Sequence, residues 1–136
     1  MILMKIVLAF IILFYTSSFL GQDIYYSPMT ENLESGEKSI INRTITIEQE
    51  TILIKTETNF GYDLQTLKIL SKELKQTIPP IMIYNCSSPD GVYPTILFIP
   101  QRKVTTEILI IQPSFTDDSD DHFRFYIDAE EKPFQQ

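Results

Sequence analysis

Residues 41–57 read INRTITIEQETILIKTE, and this stretch decides the fold. Ile41, Arg43, Ile45 and Ile47 alternate with Asn42, Thr44 and Thr46, and Ile52, Ile54 and Thr56 alternate with Leu53, Lys55 and Glu57. Successive side chains of a strand point to opposite faces, so a period of two in β-branched residues marks strands with one face inward. The short polar break Glu48-Gln49-Glu50 makes the two runs a hairpin, and Asn59-Phe60-Gly61 closes the second run with another turn signal.

The C-terminal half repeats the pattern. Ile81 to Ser87 is an apolar run, and Pro89-Asp90-Gly91 is a turn in which Pro fixes φ and Gly accepts a positive one. Val92 to Ile99 reads as the next strand, with Pro94 marking an edge position or a bulge. Gln101-Arg102-Lys103 turns the chain into a strand from Thr105 to Ile111. After the acidic loop Asp117 to Asp121, Phe123, Phe125 and Ile127 point one way and His122, Arg124, Tyr126 and Asp128 the other.

Residues 62–76 carry two patterns at once. Leu64, Leu67, Leu70 and Leu74 fit a helical stripe over 63–76, with Asp63 as N-cap and Pro79-Pro80 as the stop. Leu67 and Ile69 also fit a strand pairing back on 51–57, and the meander on either side favours that strand, at 62–71, followed by the charged turn Lys72-Glu73-Leu74-Lys75. Residues 22–38, with Ser27-Pro28 and Ser35-Gly36, read as an extended, poorly ordered entry segment. The expected fold is therefore all-β: an antiparallel meander of about seven strands, curled into a small barrel or a two-layer sandwich, as one domain over 39–132.

The chain begins MILMKIVLAFIILFYTSSFL, with Lys5 its only charge, an apolar run from Ile6 to Tyr15 and the small polar patch Thr16-Ser17-Ser18. Positive, apolar, then small residues is the order of a signal peptide, read here as 1–21 with cleavage after Ser18 or Gly21. The alternative is a retained anchor, since Met1 to Leu20 nearly reaches a bilayer-spanning length. The expected destination is secreted or periplasmic. Loss of the leader removes one of eleven basic groups and none of eighteen acidic ones, leaving a charge of −8. Such a balance repels a phosphate backbone, so no nucleic-acid partner is expected, and it disfavours anionic lipid surfaces. No stable membrane insertion is expected after cleavage, and charged turns with Pro94 predict a monomer.

The motifs for chemistry are sparse. Asp118 and Asp120, in the run Asp117-Asp118-Ser119-Asp120-Asp121, are the metal candidates, because closely spaced carboxylates hold Ca²⁺ through oxygen. With Asp118 as first ligand, however, Phe123 takes the position where an EF-hand-type loop needs Gly, and a solvated turn is the favoured reading. His122, the single histidine, is a candidate general base beside Asp120 or Asp121. Cys86, the single cysteine, forms no internal bridge and reads as an inert packed thiol, with a Cys–His nucleophile pair as the active alternative. Asn42-Arg43-Thr44 and Asn85-Cys86-Ser87 match the glycosylation triplet and are taken as coincidence. Glycine-rich nucleotide loops, CxxC and HExxH are absent, so no cofactor is expected. Tyr84, Tyr93, Phe98, Phe123, Phe125 and Tyr126 either fill the core or line an apolar cavity. The second option resembles the lipocalins in its meander alone, for their Gly-x-Trp signature needs a tryptophan and this chain has none.

The function expected from these residues is a non-enzymatic binding or envelope-associated interaction domain. The alternatives are a periplasmic carrier of an apolar ligand in a lipocalin-like barrel, and a small hydrolase using His122.

Overall fold

A computed structural model describes residues 22–114 and 117–129; the leader 1–21 lies outside them. Eight strands follow one another: β1 (Asp23–Asn32), β2 (Lys38–Ile47), β3 (Thr51–Thr58), β4 (Gly61–Lys75), β5 (Ile81–Ser87), β6 (Pro94–Pro100), β7 (Glu107–Pro113) and β8 (Asp120–Tyr126). Each pairs antiparallel with the next, and β8 returns to β1, so the meander is a closed barrel rather than a sandwich. No described helix is long and apolar enough to cross a membrane.

The 41–57 hairpin forms as its alternation predicts. Ile45 faces Ile54 and Ile47 faces Ile52 across β2 and β3, and all four are buried. Leu67, Cys86, Leu97, Ile99, Ile108, Ile110 and Phe125 join them in one core. An eight-stranded barrel is just wide enough for its own side chains to fill or to hold one small ligand, and these apolar groups line its interior.

Three elements differ from the sequence expectation. The segment 22–38 is not a loose lead-in: Asp23–Asn32 is β1, and β2 already starts at Lys38. Ser27-Pro28 reads as a break because Pro has no N–H to give the ladder, yet the register slips between Ser27 and Met29, where a bulge tolerates it. Ser27 is fully buried and its hydroxyl donates to the Met29 carbonyl at 3.1 Å.

The second difference is at β4, which is a strand but runs on through Lys72–Lys75 instead of turning there. Its register slips between Ile69 and Ser71, which leaves Leu70 as the extra residue. The bulge explains the helical spacing of leucines: Leu67 is buried inside, Leu64 and Leu70 are exposed, and Leu74, past the slip, faces Met82. No helix forms over 63–76.

The third concerns Pro94, which lies neither on a free edge nor at a bulge but opens β6 opposite Ser87. The first residue of a strand tolerates a missing N–H. Before it, the Ser88–Gly91 turn forms as expected, with the Gly91 amide donating to the Ser88 carbonyl at 2.8 Å and Gly91 at φ 80°.

The barrel closes along a short seam in which Met29, Thr30, Glu31 and Asn32 face Tyr126, Phe125, Arg124 and Phe123. Polar groups on its outer side tie it. Glu31 accepts from Arg124 Nη1 and from the Tyr126 hydroxyl, both at 2.8 Å. Arg124 Nε lies 2.9 Å from Glu107 on β7, an ionic contact without the alignment of a hydrogen bond. The Tyr126 hydroxyl and the nearby Arg124 and Lys38 hold the Glu31 carboxyl below its ordinary value.

Two outcomes follow for stability. Ile45→Ala should cost about 2–5 kcal/mol in urea unfolding, whereas Ile40→Ala on the same strand, 88% exposed, should stay within about 0.5 kcal/mol. A depressed carboxyl contributes stability above its unfolded value and loses it as pH falls through the folded one. Glu31→Gln should therefore lower stability at neutral pH and flatten its fall on the acid side, read from unfolding midpoints across pH.

Candidate functional site: the two outer walls of the barrel

The residues singled out by sequence do not converge. Cys86 packs among the core apolar groups, 3% exposed, and burial pushes its thiol up to about 11. His122 sits on β8 opposite Ile111, one residue from the core-packed Phe123, and so faces outward. The two lie on opposite faces of the barrel wall and form no nucleophile–base pair. Asp118 and Asp120 are exposed. Asp117 is held below its ordinary value by the Ser119 hydroxyl and amide that donate to it, a turn-forming contact within the loop. Among the described residues no group of three or more His, Cys, Asp or Glu is placed to hold a metal ion.

The aromatic residues divide. Phe125 is buried, and Tyr84 and Phe123 pack against the core. Phe98 and Tyr126 lie on outward-facing positions, and Tyr93 is exposed in the β5–β6 connection. Burial raises the Tyr25 and Tyr84 hydroxyls above their ordinary value, with Asp23 adding to both and Tyr25 and Cys86 adding at Tyr84. One cation also lies on the inner face. Arg43 donates from Nε to Thr30 Oγ1 at 3.1 Å and from Nη1 to Thr56 Oγ1 at 2.7 Å, with its guanidinium 5.0 Å from the Phe125 ring centroid. Burial lowers its pKa, and the hydroxyls and the ring face stabilise the charge in place of a carboxylate.

Three clefts stand out among the described residues. A cleft of about 300 Å³ opens where the chain enters and leaves the barrel, lined by Tyr25, Val104, Thr105 and Ile127 among others. A second, about 500 Å³, runs over Thr66, Lys68 and Ile69. A third, about 380 Å³, is bounded by Tyr26, Asn42, Thr44, Lys55, Glu57 and Tyr62. None of the three is lined by the buried core residues. The third carries an ordered polar chain across β1, β2 and β3. The Tyr26 hydroxyl donates to Asn42 Oδ1 at 2.6 Å, and Asn42 Nδ2 donates to Glu57 at 3.1 Å. Lys55 stands 4.2 Å from the Tyr62 ring centroid beside it. The first glycosylation triplet thus has its Asn42 amide engaged in this network, and the second has Asn85 donating to Ser71 Oγ at 3.2 Å.

The opposite wall is different. Ile81 and Ile83 on β5, Ile96 and Phe98 on β6, and Leu109 and Ile111 on β7 occupy the outward positions between the buried inward ones. Ile83, Phe98 and Leu109 stand side by side across the three strands, and Ile96 and Ile111 stand side by side across β6 and β7. All six are half-buried. This apolar face has no counterpart in the site residues expected from sequence. Its signal is there: the runs IMIY at 81–84, ILFI at 96–99 and ILII at 108–111 are apolar at both parities, unlike the alternation of 41–47. A run apolar on both faces reads as a strand covered on both faces.

No family model, no curated protein and no solved structure matches this chain. Its site must be argued from its own geometry.

A packed thiol with a raised pKa is unreactive at neutral pH. A thiol reagent at pH 8 should label Cys86 only as fast as the barrel opens, and at once in denaturant. An acid whose folded pKa lies above its unfolded value contributes stability below the unfolded value and loses it as pH rises. Stability should therefore fall between about pH 9 and about pH 11, which unfolding curves across that range will measure.

Proposed function

We propose that this chain is an exported, non-enzymatic interaction domain that works through the outside of its barrel. The observation that carries the reading is the outer wall on β5–β7, where six apolar residues stand on outward positions. A contiguous apolar patch on a soluble domain marks an interaction surface. The separation of Cys86 from His122 and the scattered acidic residues support a non-catalytic role. Export rests on the leader sequence. A water-facing barrel is supported by mid-strand charges on its exterior, Lys55, Glu57, Lys68, Glu73 and Arg124, around an apolar interior. A membrane-spanning barrel has the reverse arrangement.

The carrier alternative makes a different demand, since an apolar ligand needs an interior volume of roughly 300 Å³ or more. A fluorescent fatty acid such as cis-parinaric acid separates the two. The interaction domain should show no saturable uptake. One-to-one uptake at micromolar concentration, lost when Ile45 or Leu97 is enlarged to Phe, would replace the proposed reading with the carrier. Mass spectrometry of the protein recovered outside the cytoplasm should find an N-terminus at Phe19 or Gln22.

A further inference from the structure

The cleft on the β1–β4 wall is built from two rows of outward side chains. Through the register, one row runs Tyr26, Thr44, Lys55, and the next runs Asn42, Glu57, Tyr62. Thr44 is the shortest of the six and stands between Tyr26 and Lys55. The wall therefore dips there, and the longer groups around it make the sides of the cleft of about 380 Å³. Gly61, which also lines it, has no side chain to fill its end.

The polar groups of this cleft are ordered by one another. The Tyr26 hydroxyl donates to Asn42 Oδ1, and Asn42 Nδ2 donates to Glu57 Oε2. These bonds use one of the two Asn42 amide hydrogens and one of the two Glu57 oxygens. The amide keeps a donor and the carboxylate an acceptor. Lys55 adds further donors, with its ammonium held over the Tyr62 ring. Donors and acceptors thus stand side by side between two phenol rings. A site ordered in advance loses less freedom when a ligand arrives.

The chemistry of the cleft narrows what it can hold. The charges of Lys55 and Glu57 cancel, so the cleft does not select an ion. The acidic balance of the chain, eighteen groups against eleven basic ones, further opposes an anion. An apolar ligand would strip water from Asn42, Glu57 and Lys55 and give nothing back. A peptide backbone finds no ladder to join, because β1, β2 and β3 are paired with one another beneath the cleft. A sugar ring meets all these demands together. Its C–H face lies flat against an aromatic ring, and its neighbouring hydroxyls each donate and accept. Tyr26 on β1 and Tyr62 on β4 are three strand spacings apart, about 14 Å along the wall. That span suits linked rings better than a single one.

We infer that this cleft binds a neutral sugar chain, with Tyr62 as the stacking platform and Asn42, Glu57 and Lys55 bonding the hydroxyls. The site lies across the barrel from the apolar β5–β7 wall, and it goes beyond the interaction-domain reading that rests on that wall. Binding at one open cleft is weak: a single hexose should bind with a Kd on the order of 1–10 mM, and a trisaccharide about tenfold more tightly.

Amide chemical shifts of the full chain test this during titration with the methyl glycosides of glucose, galactose and mannose, and with cellotriose and mannotriose, up to about 50 mM. At least one neutral sugar should give saturable shifts clustered on Tyr26, Thr44, Lys55, Glu57 and Tyr62. Tyr62→Ala and Glu57→Ala should each weaken binding about tenfold or more with circular dichroism unchanged. Glu57→Gln keeps an acceptor and drops the charge, so it should stay within about threefold. Ile78→Ala, on an exposed connection outside the cleft, should change nothing. A neutral ligand also has no charge to screen, so Kd should hold from about 0.05 to about 0.5 M salt. No saturable shift with any of these sugars overturns the inference. Glucuronate or inorganic phosphate binding more tightly than every neutral sugar, with a steep loss in salt, overturns it by making the cleft an anion site. Sugar binding indifferent to both Tyr62→Ala and Glu57→Ala overturns it by placing the site elsewhere. Each of these failures leaves the interaction-domain reading standing, since fatty-acid uptake tests that separately.

Discussion

The pairing of β1 with β8 is the constraint on which the rest of the molecule depends. Without it the meander is an open sheet whose first and last strands each present a row of unpaired N–H and C=O groups. The inner face, with Ile45, Ile52, Leu97 and Ile108 fully buried, would have nothing to close against. The seam is only four residue pairs long. The bonds of Arg124 and Tyr126 to Glu31 reinforce it from outside, and Phe125 anchors it from within beneath the Arg43 guanidinium. A buried apolar ring and a surface ion pair thus act on the same junction from its two sides.

Closure also decides where activity can reside. A small closed barrel offers two surfaces, and here the inner one carries the buried apolar cluster. What remains is an outer surface of two characters. The β1–β4 wall is polar and cross-linked by the Tyr26–Asn42–Glu57 chain. The β5–β7 wall is apolar, with charges confined to its rims. The division follows from strand sequence: the outward positions of β2 and β3 are mostly polar, whereas those at the middle of β5, β6 and β7 are apolar.

Much of the fold is legible in the sequence because period-two patterning is a local property. The 41–57 hairpin, the Pro-Asp-Gly turn and the inward set Phe123, Phe125 and Ile127 appear where their residues place them. The misreadings of β1 and β4 share one cause. At Leu70 a bulge inserts one residue into β4, and at Pro28 the extra residue lies on the partner β2; each slip breaks the local pairing pattern, so a strand looks like a helix in one place and a break in the other. Whether a strand tolerates such an insertion depends on its neighbours, which no local window contains. The site was legible only negatively, through the isolation of His122, Cys86 and the acidic loop. The apolar wall was written in the runs at 81–84, 96–99 and 108–111. Its meaning required knowing that the face opposite the core had no covering layer.

The seam has a temporal side as well. It joins residues more than ninety positions apart, as Glu31 and Arg124 show. A chain threaded outward from its N-terminus delivers β1 first and β8 last. Six more strands must then arrive, each with an uncovered apolar face, before the pair that closes the ring exists. Contacts so distant in sequence make closure the slow step of folding. Until β8 is in place, the chain is an open ribbon whose apolar inner face has no opposite wall, so every stage before closure exposes what the finished barrel hides.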